Sequence, residues 1–195
     1  MKIAFIGTHG VGKTTLCYDL ASRLKRQDRV VDIVQEVARA CPLPINRETT
    51  PQAQAWILHT QIAEELAASA RGDIVICDRS VLDNYAYLVH QAGHRPEFDA
   101  LVRQWVTTYD FLFKVPIIDA PTFDGTRDVS RDFQRAIDGV IDQLASEFGV
   151  DCLRLDPGHR EDWVDTILTA CGLPLRPPQI DLFRPRAEEI ATAAP

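Results

Sequence analysis

No apolar run in this 195-residue sequence approaches the roughly 20 residues needed to cross a bilayer, which excludes an ordinary transmembrane helix and any expected membrane partner. Cysteine is sparse and unpatterned. The five (Cys17, Cys41, Cys77, Cys152, Cys171) form no C-x-x-C pair and no Cys/His zinc spacing. That excludes a disulfide framework and fits reduced thiols, so a cytoplasmic setting is expected. Internal repeats and inter-domain linkers are missing too, and one domain is the natural expectation at this length. Positive charge is in deficit: Lys and Arg number 21 against 28 Asp and Glu, for a net charge of −7. This argues against broad nucleic-acid binding but leaves room for a local basic groove. The chain opens directly on an apolar run, so no signal peptide is expected. What remains, 46% hydrophobic and 25% charged, is the composition of a soluble globular protein.

The stretch FIGTHGVGKTTL, residues 5–16, places three glycines and a lysine between an apolar run and a helical pattern. Gly7, Gly12, Lys13 and Thr14 satisfy G-x-x-x-x-G-K-S/T, the spacing of a P-loop. A phosphate chain needs several N–H donors pointing inward from a tight loop. Side chains would block that approach, so glycine is favoured. The following helix adds unpaired N–H groups and a positive dipole end. Gly7, Gly10, Val11, Gly12, Lys13, Thr14 and Thr15 are therefore the candidate ATP-binding residues. Lys13 is placed to reach the β- and γ-phosphates, and the Thr14 hydroxyl to ligate Mg²⁺. His9, in the middle of the loop, is expected on its surface.

Five apolar runs read as strands: 2–6, 30–35, 73–77, 110–115 and 151–155. Helical patterns lie between most of them. Leu16, Cys17, Leu20, Ala21 and Leu24 recur at helical spacing after the loop. Thr50 before Pro51 is a helix start, an N-cap oxygen followed by proline in the first turn. From there Ala53, Trp56, Ile57, Ala63, Leu66, Ala67 and Ala70 make an apolar stripe. Further helices are expected over 80–91, 97–109, 130–148 and 161–170, with Phe133, Ile137, Val140, Ile141, Leu144 and Phe148 sharing one face. Alternating strands and helices imply an α/β fold, a five-stranded parallel sheet with helices on both faces. The domain is expected over 1–171, with a proline-rich tail over 172–195.

Ligands in such sheets bind at the carboxyl ends of the strands. The second strand ends in QEVAR, presenting Glu36 and Arg39. Glu36 there faces a γ-phosphate across the cleft, as a general base, a substrate binder or half of a surface charge pair. The third strand ends in CDRS. Asp78 occupies the position from which an acid holds Mg²⁺ or its water shell, and Arg79 can neutralise phosphate charge. The alternative is an N-capping Asp beside a solvated Arg. Arg127, Arg131 and Arg135 recur four apart, opposite the Phe133 stripe. They suit a lid that closes over phosphates, with surface pairs to Asp128 and Asp132 as the plainer reading.

The chain resembles the small P-loop kinases of the nucleoside and nucleotide kinase superfamily, including thymidylate and deoxynucleoside kinases. It looks most like the ribosylnicotinamide-kinase-like group of bacterial P-loop proteins described as AAA domains. GTHGVGKTT, QEVAR, CDRSVLDNYAY and DGTRDVSRDF carry the likeness, in that order, over residues 1 to about 170. The resemblance implies a P-loop NTPase fold with a kinase-type lid, ATP and Mg²⁺ as cofactors, and Lys13, Glu36, Asp78, Arg79, Arg127 and Arg131 as catalytic residues. It implies phosphoryl transfer to a hydroxyl or phosphate of a nucleoside- or nucleotide-like molecule. Two rivals stay open: a hydroxyl in nucleic acid as acceptor, and a regulatory ATPase without a small acceptor. A homodimer is compatible with this reading.

Overall fold

The computed structural model describes residues 1–45, 48–118 and 130–177. Five strands, β1 (Lys2–Ile6), β2 (Val31–Val34), β3 (Ile74–Asp78), β4 (Phe111–Lys114) and β5 (Leu153–Arg154), form one parallel sheet in the order β2-β3-β1-β4-β5. Among the described residues six α-helices connect or flank them: α1 (Lys13–Lys25), α2 (Pro51–Arg71), α3 (Val81–Ala92), α4 (Pro96–Val106), α5 (Arg131–Phe148) and α6 (Trp163–Ala170). Each strand and helix expected over 1–171 is present, with ends shifted by a few residues, while residues 178–195 of the expected proline-rich tail lie outside the described residues. The strand expected over 151–155 shortens to two residues because it is the sheet's outer edge, where a short strand leaves little open ladder.

The two faces of the sheet divide the helices. Ile3, Phe5, Ile74, Ile76 and Phe113 pack with α1 and α6, through Leu16, Leu20, Leu24, Trp163 and Ile167. Ala4, Ile6, Val75, Cys77 and Leu112 point the other way and meet α2, α3, α4 and α5. Adjacent residues of a strand face opposite sides, so β1 and β3, buried on both, read as unbroken apolar runs. The order of strands reverses about β1. The crevice this opens lies at the carboxyl ends of β1 and β3, where the glycine loop and residues 78–80 sit.

Local chemistry sets the helix starts. Thr50 accepts from the Ala53 N–H with Pro51 in the first turn. Ser80 and Asp83 form a reciprocal capping box at α3. Ser130 caps α5, and Gly149 ends it with φ 64°. Helix α5 buries Phe133, Ile137, Ile141 and Leu144, the face expected from spacing.

Helix α2 departs from expectation. Its buried residues are Ala53, Gln54, Ile57, Leu58, Gln61, Glu65 and Ala68, while Ala63, Leu66 and Ala70 face solvent. Leu66 is 59% exposed and Glu65 wholly buried. The interior face is thus rotated by about one residue from the apolar stripe, because three polar side chains on it find hydrogen-bond partners inside.

Gly7 follows β1 with φ 143°, and a Cβ built on it would lie 2.8 Å from the Val115 carbonyl oxygen. Both the backbone angle and the neighbouring strand demand glycine. Gly149 also has positive φ but open space around it. Gly7→Ala should therefore cost about 2–3 kcal/mol in denaturant unfolding, against about 1 kcal/mol for Gly149→Ala. Equal costs would contradict the close approach.

Candidate active site

Gly12, in the left-handed region with φ 92°, turns the loop into α1, whose first residue is Lys13. Lys13 is 5% exposed, and its ammonium donates to the carbonyls of Gly7 (2.8 Å) and Thr8 (2.6 Å). Burial, then the Arg79 charge, lowers its pKa from the ordinary 10.5 to about 8, against the pull of Asp83, Asp78 and Glu36. The Thr14 hydroxyl donates to Asp78 Oδ2 at 2.5 Å. Asp78 ends β3 and is itself buried.

Arg79 follows in the left-handed region, φ 100°, rare for a residue with a Cβ. Its guanidinium is buried over the Tyr87 ring, 5.4 Å from the centroid. It donates through Nε to Glu36 Oε1 (2.6 Å) and through Nη1 to Asp83 Oδ2 (3.3 Å). Glu36 accepts a second bond from Arg39 Nε at 2.8 Å. Burial alone would raise the Glu36 pKa. The charges of Arg79 and Lys13 and the two arginine hydrogen bonds outweigh it, and the carboxylate is held well below its usual range.

Beside this pair lies a cavity of about 40 Å³, lined by Glu36, Arg79, Gln54, Asn84, Tyr87 and His9 among others. Gln54 donates to Thr49 Oγ1 at 2.7 Å, while its Oε1 is buried with no hydrogen-bond partner among the described residues. A space of this size admits two or three waters. A nucleoside-sized molecule enters only if the walls move. A larger groove of about 650 Å³ begins at Gly12 and Thr15 and runs along α1 past Arg160 and Trp163. Arg160 Nη2 lies 3.1 Å from where a Gly12 Cβ would stand, which brings it beside the loop.

The loop residues, Lys13, Glu36, Asp78 and Arg79 thus converge. Arg131 is exposed in the first turn of α5, Arg135 is exposed one turn further on, and Arg127 lies outside the described residues. The first turns of α5 are tied to the loop, since Gln134 Nε2 donates to the His9 carbonyl at 3.0 Å. His9 corrects the sequence expectation. It is 4% exposed, its ring 3.3 Å from the Tyr87 hydroxyl and packed on Phe133, because α3 and α5 close over that side of the loop. Sequence reasoning also missed Asn84 and Arg160. Asp83 alone carried a local signal, as the fourth residue of a capping box opened by Ser80.

The family described as an AAA domain matches this chain over residues 2–162. No curated protein sequence matches it. Among solved structures, deoxyadenosine kinase from M. mycoides with the products dCMP and a flexible dCDP bound superimposes with a TM-score of 0.64 at 14% identity, covering 88% of this chain and 99% of that one. The same enzyme with bound dATP gives 0.63 at 14% identity, with the same coverage. The likeness is one of fold: a P-loop α/β sheet shared at low identity.

The buried lysine makes stability depend on pH. The folded chain releases the Lys13 proton near pH 8, whereas the unfolded chain holds it to about 10.5. Across that interval the unfolded state binds more protons, so this contribution to stability grows as pH rises. Relative to Lys13→Met, the wild type should gain on the order of 2 kcal/mol of unfolding free energy between pH 7.5 and 10.5. Parallel pH profiles for the two proteins would show that Lys13 keeps an ordinary pKa.

Proposed function

This chain belongs to the AAA domain family, and from that footing we propose that it is a kinase that moves the γ-phosphoryl group of ATP to a hydroxyl of a nucleoside-like acceptor. The observation that carries the reading is Glu36. Its carboxylate lines a small cavity next to the P-loop and is kept ionised by Arg79 and Arg39.

A carboxylate there favours a neutral acceptor. A phosphate acceptor would bring about two further negative charges against Glu36, whereas a hydroxyl can donate to it. In the proposed step the acceptor oxygen attacks the γ-phosphorus, the bond to the bridging oxygen of ADP breaks, and the hydroxyl proton passes to Glu36. A carboxylate held so acidic is a weak base. Its main work is orienting the hydroxyl, in keeping with a loose transition state that asks little of the base. Lys13 would leave the Gly7 and Thr8 carbonyls for the β- and γ-phosphoryl oxygens.

Thr14 and Asp78 fit Mg²⁺, which takes one or two protein oxygens and fills its other positions with phosphates and water. Among the described residues no group of three His, Cys, Asp or Glu could hold a metal. When bound, Mg²⁺ neutralises charge on the β- and γ-phosphoryl oxygens. The groove from Gly12 to Arg160 and Trp163 suits the rest of the donor, with Arg160 beside its phosphates. Arg131, in the first turn of a helix tied to the loop, and Arg127, outside the described residues, are proposed as the lid arginines from their spacing.

Labelled ATP and Mg²⁺ offered with a panel of nucleosides, nucleotides and DNA test the reading. Label should pass to nucleosides. Glu36→Gln should lower kcat by about 10²- to 10⁴-fold with ATP affinity retained. Acceptor-independent hydrolysis as the main activity, or full turnover in Glu36→Gln, would overturn it.

A further inference from the structure

The turn from β3 into α3 is gripped by side chains at three points on two consecutive peptide groups. The Arg79 carbonyl accepts from Gln61 Nε2 (3.3 Å), the Ser80 N–H donates to Asp83 Oδ1 (2.5 Å), and the Val81 N–H donates to the Tyr109 hydroxyl (3.1 Å). Asp83 belongs to α3 itself. The other two grips come from afar and converge on one carboxylate. Glu65 Oε1 accepts from Gln61 Nε2 at 2.9 Å and from the Tyr109 hydroxyl at 2.6 Å. Its Oε2 accepts from Lys2 Nζ and Trp105 Nε1, each at 2.8 Å. Asn84 Nδ2 donates to Gln61 Oε1 at 3.4 Å and orients that amide from its other end.

Glu65 is wholly buried on α2 and is not among the residues lining the cavity beside Glu36. A buried carboxylate with its cation is weak evidence for stability, since apolar residues of equal volume often serve as well. What four directed donors add is orientation. Arg79 needs it, because a left-handed backbone at a residue with a Cβ persists only where its surroundings over-determine it. Released, the residue would relax toward an ordinary conformation, and its Cα–Cβ direction would swing the guanidinium away from Glu36.

We propose that Glu65, acting through Gln61 and Tyr109, is a positioning residue for phosphoryl transfer: it locks the backbone on both sides of Ser80 and so aims Arg79 at Glu36. This rests on the phosphoryl-transfer reading above. It also explains why the buried face of α2 is polar where an apolar face would serve packing alone.

Two substitutions on the full chain test it. Gln61→Leu removes the amide that holds the Arg79 carbonyl. Tyr109→Phe keeps the ring and deletes only the hydroxyl that accepts from Val81. Each should lower kcat on the order of 10- to 100-fold, with ATP affinity changed by less than about threefold. In an Arg79→Ala background the same substitutions should change kcat by less than about twofold, because the residue they position is gone. Equal losses in both backgrounds, or unaltered kcat, would overturn the proposal. Amide hydrogen exchange at Ser80 and Val81 gives a readout independent of turnover. Gln61→Leu touches neither amide, yet should speed their exchange about tenfold or more. Unchanged exchange would refute the clamp whatever the acceptor. Faster exchange in a protein whose wild type transfers no phosphoryl group would overturn the kinase reading and the catalytic role, with the clamp itself supported.

Discussion

The site is organised around one contact, the 2.6 Å ion pair between Arg79 and Glu36. Arg79 stands in a backbone conformation that costs about 1–3 kcal/mol for a residue with a side chain. From there it reaches Glu36 on the neighbouring strand's end and Asp83 one turn into α3. It also contributes to the lowered pKa of Lys13 and to the low pKa of Glu36. Three groups that would share the work of phosphoryl transfer are therefore electrically coupled before any ligand arrives. That is the kind of preorganisation from which electrostatic catalysis draws.

Supporting that contact takes an unusual amount of buried polarity. Lys2, Gln61, Glu65, Asp83 and Asn84 are all buried. They lie on β1, α2 and α3, so the network ties the central strand to the crevice. Left half-paired, such groups would each cost free energy; hydrogen-bonded as they are, they restrict the orientations open to Arg79.

Much of this was legible from sequence because it rests on local chemistry. The P-loop, the Thr50–Pro51 start, the Ser80 cap and the apolar runs of β1 and β3 depend on neighbours within a few residues. Glu36, Asp78 and Arg79 followed from one topological rule about strand ends. What stayed hidden depends on distant partners. The inward face of α2 was misread because Gln61 and Glu65 look like surface residues until their partners are known: the Arg79 carbonyl and Asn84 for the amide, and Lys2, Trp105 and Tyr109 for the carboxylate. His9 looked exposed because the helices that cover it come from α3 and α5. Arg160 meets Gly12 across nearly the whole chain, and no local pattern signals it.

The central claim is that the glycine loop and the Glu36–Arg79 pair form one site in which a terminal phosphoryl group meets an acceptor hydroxyl. A crystal structure with Mg²⁺ and an unreactive ATP analogue tests it most directly. The account predicts that Lys13 leaves the Gly7 and Thr8 carbonyls for the β- and γ-phosphoryl oxygens, while Glu36, still paired with Arg79, faces the γ-phosphorus. An analogue bound elsewhere, with the lysine still on those carbonyls, or a Glu36 carboxylate turned away from the phosphates, would contradict it.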